Sequence, residues 1–277
     1  MAWGNDVEVA AKQFVVNPGS MLDFAHGLNF TDDVPYRLLT VRPENLAPEG
    51  RETAKAHLPT RYLLGYVMRA LATLDIAEQS KFFTLISSHP WMRGAAGWCF
   101  EKFVHVRLIA HPSSTPLEAT PAKKNSPDLI IPVCKNFIPL GGVTLLAKAN
   151  KHPLPFYWRP TSTQFTSLDA VICTTKEILL LQTSVAEKHP VEPEGIDEVL
   201  SRIPKTFKSC RRICLVFIAD SEHTAFRLRN QRLSGLSSYG LEVYSTVFTV
   251  GQTPLSGKER EALENIVVRD NYVYIFT

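Results

Sequence analysis

Two polar residues of this sequence, one acid and one amide, lie at the ends of apolar stretches that we expect to be buried. Asp169 precedes the apolar run 170–173, and Gln182 follows the apolar run 178–181. Because only the short polar segment 174–177 separates the two runs, they predict a buried β-hairpin. A carboxylate that enters such a hairpin is costly unless a metal ion or an Arg or Lys side chain compensates its charge. The alternative is a strand-end aspartate held by backbone N–H groups or by a salt bridge.

A third candidate is the acidic residue Glu101. The surrounding segment 90–109 has apolar residues at helical spacing and a proline in its first turn, which predicts a helix. A glycine inside a helix costs about 1 kcal/mol relative to alanine, so we expect Gly94 and Gly97 to let another backbone come close. Glu101 would then lie on a helix flank near a second element.

The rest of the chain must position this helix and this hairpin. Apolar spacing predicts helices at 7–16, 21–28, 62–76, 77–87, 191–203, 222–233 and 257–266. Aliphatic and aromatic runs predict strands at 128–133, 143–148, 170–173, 178–181, 211–219, 241–250 and 271–276. The polar, proline-rich residues 111–127 are expected to form a surface segment. The pattern therefore indicates a helical N-terminal segment, 1–88, followed by an α/β domain, 89–277, with a mixed sheet flanked by helices.

Composition restricts the class of protein. The 277 residues carry a formal net charge of +3 and are 45% hydrophobic, which is ordinary for a globular chain. The five cysteines are odd in number and mostly lie in apolar runs, which favours reduced thiols. We find no secretory signal at the start of the sequence and no apolar run of membrane-spanning length. The expectation is a soluble protein of the nucleus or cytoplasm.

The order helix, three strands, helix, strand, with an acid on the first helix and polar residues on two adjacent strands, resembles the PD-(D/E)XK restriction-endonuclease-like fold. Three motifs carry the resemblance further: Gly97 to Glu101 and His105, Tyr157 and Pro160 before Asp169, and Gln182 before His189. In order and spacing they resemble the nuclease-like module that follows an ATPase in Crinkler and retrotransposon-hot-spot type proteins.

This resemblance covers about residues 89–220, and it implies partners and an activity. Residues 1–88 would resemble the tail that links the ATPase to the nuclease module. The sequence itself has no Gly-x4-Gly-Lys-Ser/Thr motif, so an ATPase would be an upstream domain or a separate protein. The implied activity is hydrolysis of DNA phosphodiester bonds with Mg²⁺ or Mn²⁺ as cofactor.

The resemblance implies Glu101, Asp169 and Gln182 as metal ligands. In the general fold the last motif is Asp or Glu, any residue, then Lys, whereas this chain has Gln182-Thr-Ser184. One charge is therefore missing, and a hydroxyl replaces the lysine. The amide oxygen of Gln182 can still bind a hard cation.

Two residues on the segment after the hairpin could take the role of the missing lysine. Lys188 could reach back to the site, and His189 could act as a base or as a phosphate ligand. The alternative is that both are solvated loop residues.

Three functions stay open from the sequence: an active metal-dependent deoxyribonuclease, a catalytically degenerate nuclease fold that binds DNA or protein, and a purely structural domain. A basic cluster near the strand after the hairpin could follow a phosphate backbone, although a solvated basic surface is the ordinary alternative. This cluster consists of Arg211, Arg212, Arg227, Arg229 and Arg232, with Lys205 and Lys208.

Overall fold

The computed structural model describes residues 2–19, 38–43, 54–109, 116–138, 142–160, 168–209, 211–236 and 239–251. The chain divides into two compact units, one of Met1–Lys102 with Val250–Thr277 and one of Phe103–Thr249. This division falls after Lys102, whereas the sequence prediction placed a domain boundary at residue 88/89. The helices predicted at 21–28 and 257–266 and the strand predicted at 271–276 lie outside the described residues.

The first unit is largely helical, as the N-terminal pattern predicted. Its elements are α1 (Ala2–Val16), β1 (Thr40–Pro43), β2 (Ala54–His57), α2 (Arg61–Leu71), α3 (Ile76–Ser88), a 3-10 turn (Pro90–Met92) and α4 (Arg93–Ile109), whose last residues belong to the second unit. Strands β1 and β2 pair antiparallel. Among the described residues, no helix is both long enough and apolar enough to cross a membrane.

Local side chains explain where these helices begin. The Thr60 hydroxyl accepts a hydrogen bond from the Leu63 N–H at 3.2 Å and caps α2. Asp75 and Glu78 form a reciprocal capping box at the start of α3. The prediction for Gly94 is wrong, because a Cβ built there would meet nothing within 4 Å. That glycine lies on an open helix surface and not at a close backbone approach.

The second unit is built on a mixed sheet of eight strands among the described residues, in the order β4-β3-β10-β9-β8-β7-β6-β5. The strands are β3 (Leu117–Pro121), β4 (Leu129–Ile131), β5 (Asn136–Ile138), β6 (Phe156–Trp158), β7 (Ala170–Cys173), β8 (Glu177–Ser184), β9 (Arg212–Ala219) and β10 (Glu242–Val247). The helices are a 3-10 helix (Val143–Lys151), α5 (Pro193–Arg202), α6 (Lys205–Lys208) and α7 (Glu222–Arg229). The predicted class, a mixed α/β sheet flanked by helices, is confirmed.

Strands β6, β7 and β8 form an antiparallel meander, and β8, β9 and β10 then run parallel. Parallel neighbours need crossover connections, which α5 and α6 provide between β8 and β9, and α7 provides between β9 and β10. The predicted hairpin is confirmed, with Ala170 paired to Leu181 and the Thr174 N–H donating to the Glu177 carbonyl at 2.9 Å. This register places Asp169 opposite Gln182.

Alternation along β8 separates two faces of the sheet. Ile178 and Leu180 belong to the core cluster that also contains residues of α5 and α7. Gln182 and Ser184 follow at the same two-residue spacing, so they lie on this helix-covered face near the carboxyl end of the strand. Leu179, Leu181 and Thr183 belong to the opposite face.

One prediction for the second unit is wrong, and another missed a strand. Residues 143–148 form part of a 3-10 helix and not a strand, because Leu146 and Ala149 are buried at the three-residue period of that helix. The predicted surface segment 111–127 contains strand β3, which pairs with β4 and β10. Sequence pattern missed β3 because Ala119 is its one fully buried residue, so it lacks apolar alternation.

Candidate functional site

The candidate site lies where β7 begins and β8 ends. One carboxylate oxygen, Asp169 Oδ2, accepts three hydrogen bonds there. The donors are Thr183 N at 2.6 Å, Thr183 Oγ1 at 2.7 Å and Gln182 Nε2 at 3.2 Å. Hydrogen bonds to an ionised acceptor are the strong ones, so the half-buried Asp169 is held rigidly against the end of β8.

The Gln182 side chain is oriented by two contacts of its nitrogen. Nε2 lies 3.2 Å from Asp169 Oδ2 and 3.2 Å from His189 Nε2. The opposite amide orientation would set the Gln182 oxygen against the carboxylate oxygen, so the observed orientation is the favourable one. Both amide hydrogens are therefore donated, one to Asp169 and one to His189.

The same geometry fixes the tautomer of His189. Its Nδ1 lies 2.9 Å from the carbonyl oxygen of Pro190, which can only accept, so Nδ1 carries a hydrogen. Its Nε2 is then the acceptor for Gln182. His189 thus acts as a hydrogen-bond acceptor at this site.

The Gln182 oxygen is the exceptional atom of this region. Gln182 is only 2% exposed, and its Oε1 is a buried atom without a hydrogen-bond partner in the described structure. A buried carbonyl left without a partner costs about 1–3 kcal/mol. A bound ligand that accepts this lone pair would remove that cost.

Gln231 fixes the main chain of His189 from a different part of the sequence. Gln231 Oε1 accepts from the His189 N–H at 3.2 Å, and Gln231 Nε2 donates to the His189 carbonyl at 3.0 Å. Gln231 comes two residues after α7 ends, and its own N–H donates to the Leu228 carbonyl at 3.3 Å. The loop after β8 is therefore tied to the end of α7.

The other candidates near the hairpin have different environments. The Ser184 hydroxyl donates to the Ala186 carbonyl and accepts from the Ala186 N–H, both at 3.0 Å, which forms a tight turn at the end of β8. Lys188 is exposed on the following loop. Asp169, Gln182 and His189 are thus the candidates that the structure brings together.

Glu101 belongs to the first unit and is described there. It is 8% exposed, and its Oε1 lies 3.7 Å from Nζ of Lys102, which is itself 4% exposed. One turn later, in the second unit, the His105 Nδ1 lies 2.5 Å from the Tyr157 hydroxyl. Tyr157 alternates with the core residues Phe156 and Trp158, so this pair lies on the sheet face opposite Gln182.

Two members of the predicted basic cluster are engaged by other groups of the protein at the amino end of β9. Arg211 stacks on the Phe207 ring at 3.7 Å and donates to the carbonyls of Thr174 and Phe207 at 2.8 and 2.6 Å. Arg212 lies 3.1 Å from Glu177 and 3.1 Å from Glu242. Since Arg212 pairs with Glu177, five residues before Gln182 on β8, it lies about 17 Å along the strand from the candidate site.

The members from α7 and after it lie nearer the carboxyl end of β8. Arg227 Nε lies 3.5 Å from Glu187 Oε2 on the loop after β8, and Arg229 donates to the Ser245 hydroxyl at 3.2 Å. Arg232 is exposed, directly after Gln231. Lys208 at the other end donates to the Leu200 carbonyl, and Lys205 is exposed.

Asp220 is an acid at this edge that the sequence analysis did not single out. It follows the last residue of β9, and its Oδ1 is a second buried oxygen without a hydrogen-bond partner among the described residues. Burial raises the pKa of Asp220, and the nearby Thr224 and Ser221 hydroxyls partly offset that rise. The carboxyl ends of β8 and β9 therefore each carry one buried oxygen that lacks a donor.

The four cysteines that the structure describes are unreactive thiols. Cys99, Cys134, Cys173 and Cys214 are buried and free, and burial raises the pKa of each thiol to about 12. They are protonated core residues at neutral pH. Cys210 lies outside the described residues.

The candidate site contains part of the ligand set that the cation implied by the nuclease resemblance would need. Within the described ranges, no group of three or more His, Cys, Asp or Glu residues could hold a metal. Gln182 is outside those residue types, yet its buried amide oxygen is a hard ligand of the kind that Mg²⁺ and Mn²⁺ accept, and it lies beside the Asp169 carboxylate. These two residues fit part of a divalent-cation site.

Comparison with known proteins adds no relative: no family model matches the chain, and no curated protein or solved structure matches it significantly.

Sequence reasoning missed Thr183, Gln231 and Asp220. Thr183 alternates away from Gln182, so period-two reasoning assigns it to the other face. Its hydroxyl still reaches Asp169, since the aspartate lies just before β7 begins. Gln231 is 42 residues from His189 and carries no local signal.

Proposed function

We propose that this protein is a nuclease-like domain that hydrolyses DNA phosphodiester bonds with a divalent cation. The observation that carries the proposal is the partnerless, buried Oε1 of Gln182 beside the Asp169 carboxylate. The β6-β7-β8 meander, followed by helices α5 and α6 and by β9 parallel to β8, supports the β-β-β-α-β part of the restriction-endonuclease-like order, whereas β3, β4, β5 and a 3-10 helix separate α4 from this meander.

In this proposal, Asp169 and Gln182 of the second unit hold Mg²⁺ or Mn²⁺. The cation would polarise the phosphodiester and activate a water molecule. Thr183 orients Asp169 through two hydrogen bonds. His189 orients Gln182, which leaves the exposed Lys188 as the candidate for contact with a phosphate.

Bound DNA would lie over the carboxyl end of β8. Of the predicted basic cluster, Arg227, Arg229 and Arg232 lie nearer this end, whereas Arg211 and Arg212 hold the amino end of β9 together. From the resemblance we also propose that an ATPase-type domain or protein is a partner and that this protein acts in the nucleus or cytoplasm.

Cleavage of supercoiled plasmid tests the activity. The purified protein should nick plasmid with millimolar Mg²⁺ or Mn²⁺ and not with EDTA. Asp169→Asn should lower the rate at least about a hundredfold, because a bound cation contributes several kcal/mol to such a reaction. Asp197→Asn on the exposed side of α5 makes the same chemical change elsewhere and should leave the rate unchanged. Equal rates for wild type and Asp169→Asn would contradict the proposal.

A degenerate nuclease fold that binds DNA or protein is the second candidate. It is favoured by Ser184, which takes the place of the family's lysine but whose hydroxyl is engaged in a turn with Ala186. A melting temperature that rises with Mn²⁺ in the absence of any plasmid nicking would support this candidate over the active enzyme.

A further inference from the structure

The side chain that offers a ligand oxygen at the candidate site is an amide, and an amide differs from a carboxylate in one physical respect. A glutamate presents an oxygen to a cation whichever way its end group is rotated. A glutamine presents either an oxygen or an NH₂ group, and the NH₂ group repels a cation. A site that uses Gln182 as a ligand therefore needs something that fixes the amide orientation.

The first fixing contact is with Asp169. Its Oδ2 accepts from Gln182 Nε2 at 3.2 Å, and it also accepts the two shorter bonds from Thr183. This carboxylate oxygen disfavours the rotated amide, because rotation would bring a second oxygen against it. Because Oδ2 is shared among three donors, this one bond does not fix the orientation of the Gln182 amide by itself.

The second fixing contact is with His189. Because Nδ1 donates to the Pro190 carbonyl, Nε2 is an acceptor, and it takes the remaining Gln182 hydrogen at 3.2 Å. With both hydrogens donated, Oε1 is the remaining polar atom of the amide and is buried without a partner in the described structure.

The third contact holds the histidine. Gln231 binds both main-chain polar groups of His189, at 3.2 and 3.0 Å, from 42 residues further along the chain. Because two hydrogen bonds join Gln231 to the His189 main chain, they fix the orientation of this loop as well as its distance from the end of α7. Gln231 thereby holds the main chain of the residue whose imidazole contacts Gln182.

We propose that His189 and Gln231 are positioning residues that hold the Gln182 amide with its nitrogen on Asp169 and His189 and its oxygen presented to a divalent cation. The inference rests on the cation site of the proposed function and assigns that site a supporting relay. It gives His189 the role of an acceptor that orients a ligand and not that of a base.

The test measures Mn²⁺ affinity by isothermal titration calorimetry, with plasmid cleavage left aside. Supporting residues around a metal ligand typically contribute tenfold or more to affinity, so His189→Ala and Gln231→Ala should each weaken Mn²⁺ binding about tenfold. His189→Gln supplies an oxygen acceptor near the position of Nε2 and should stay within about threefold of wild type. His223→Ala is the matched control: it removes an exposed imidazole of α7 that lies 3.4 Å from Glu187 on the loop after β8, and it should have no effect.

A second measurement reports the amide directly, in metal-free protein. The side-chain NH₂ of Gln182 should give two amide proton signals protected from solvent exchange by NMR. In Gln231→Ala, the proton donated to His189 should lose its protection while the proton donated to Asp169 keeps it. Gln231→Glu keeps the acceptor for the His189 N–H but not the donor to its carbonyl, so it should give an intermediate result.

The outcomes separate this inference from the proposed function. If wild type binds Mn²⁺, Asp169→Asn abolishes binding, and both His189→Ala and Gln231→Ala bind like wild type, the relay is overturned and the cation site stands. If wild type binds no Mn²⁺, the proposed function fails, and the ligand-presenting role of Gln182 fails with it. Unchanged exchange protection of Gln182 in Gln231→Ala would overturn the positioning role whatever the cation result.

Discussion

The two ends of strand β8 differ in how their polar groups are satisfied. At the amino end, Glu177 binds Arg212 at 3.1 Å and the Thr174 hydroxyl at 2.6 Å, and Arg212 binds Glu242 at 3.1 Å. At the carboxyl end, Gln182 is almost fully buried, yet its Oε1 has no hydrogen-bond partner in the described structure. The amino end is organised as a closed set of ion pairs, and the carboxyl end retains an atom that a ligand could satisfy.

This difference distinguishes a polar network that stabilises the fold from one that supports a site. Buried polar groups in proteins are nearly always hydrogen-bonded, so an exception needs an explanation. The closed network also shifts the pKa values of its members. Burial alone would lower the pKa of Arg212, but its hydrogen bonds to Glu177 and Tyr244 raise that pKa above its usual range. The Tyr244 hydroxyl donates to Glu242 at 2.8 Å, and burial together with this carboxylate raises the pKa of Tyr244 to about 12. Both groups therefore keep a constant protonation state at neutral pH, as a structural network requires.

The largest effect is expected from Asp169→Ala at the carboxyl end. The change leaves three donors from Gln182 and Thr183 without their shared acceptor, and it should lower the free energy of unfolding by about 3 kcal/mol in metal-free buffer. It should also abolish any rise in melting temperature with Mn²⁺. Urea denaturation with and without Mn²⁺ measures both. A loss below about 1 kcal/mol would mean that this carboxylate is not held as the hydrogen bonds indicate.

A slightly smaller effect is expected from Arg212→Met at the amino end. Removing the cation leaves Glu177 and Glu242 near one another without a counter-charge, and stability should fall by about 2 kcal/mol. The Mn²⁺-dependent rise in melting temperature should equal that of wild type, because the network lies at the other end of the strand. Lys176→Met on the exposed turn is the control for loss of positive charge. If Arg212→Met changed the Mn²⁺-dependent rise in melting temperature, the amino end of β8 would not be independent of the candidate site.

A pH-dependent effect is expected from Asp220→Asn, beside the candidate site. Burial raises the pKa of Asp220 in the folded state, so the folded protein disfavours its ionised form. The resulting destabilisation is absent below the unfolded-state pKa and grows as pH rises through the folded-state pKa. Asp220→Asn should therefore be more stable than wild type at pH 7 and equal to it under acidic conditions. Denaturation curves across this range measure the difference, and a variant less stable at pH 7 would contradict it.

The smallest effect concerns DNA. If DNA lies over the carboxyl end, Arg227→Ala should reduce the slope of log K against log salt by about 0.9, the value for one lost phosphate contact on duplex DNA. Lys205→Ala makes a comparable change on α6, near the amino end of β9, and should leave the slope unchanged. Fluorescence anisotropy at several salt concentrations gives both slopes. Equal slopes for Arg227→Ala and wild type would exclude Arg227 from the DNA interface.

Local pattern was sufficient for the elements with strong periodicity. The hairpin of β7 and β8, the helix α4 and the strand β9 follow from apolar spacing and polar turns, and the structure contains all three. Prediction was wrong for the 3-10 helix at Val143–Lys151, whose valine and leucines suggest a strand. It also missed β3, a largely exposed strand whose burial is too sparse to give a pattern. Short segments are decided by the surfaces against which they pack, and those surfaces are distant in sequence.

The sequence by itself determined that Asp169 and Gln182 face each other, because a hairpin closed by the polar turn at 174–177 can pair only residues equally distant from that turn. The tertiary structure decided the contacts that link distant segments. Gln231 meets His189 across 42 residues, and Arg212 meets Glu242 across 30. Neither contact could be predicted from the sequence, because the type of a polar side chain does not indicate which distant loop or strand will pack against it. The same long-range packing buries Gln182 Oε1, and that burial turns an ordinary glutamine into the candidate ligand of this protein.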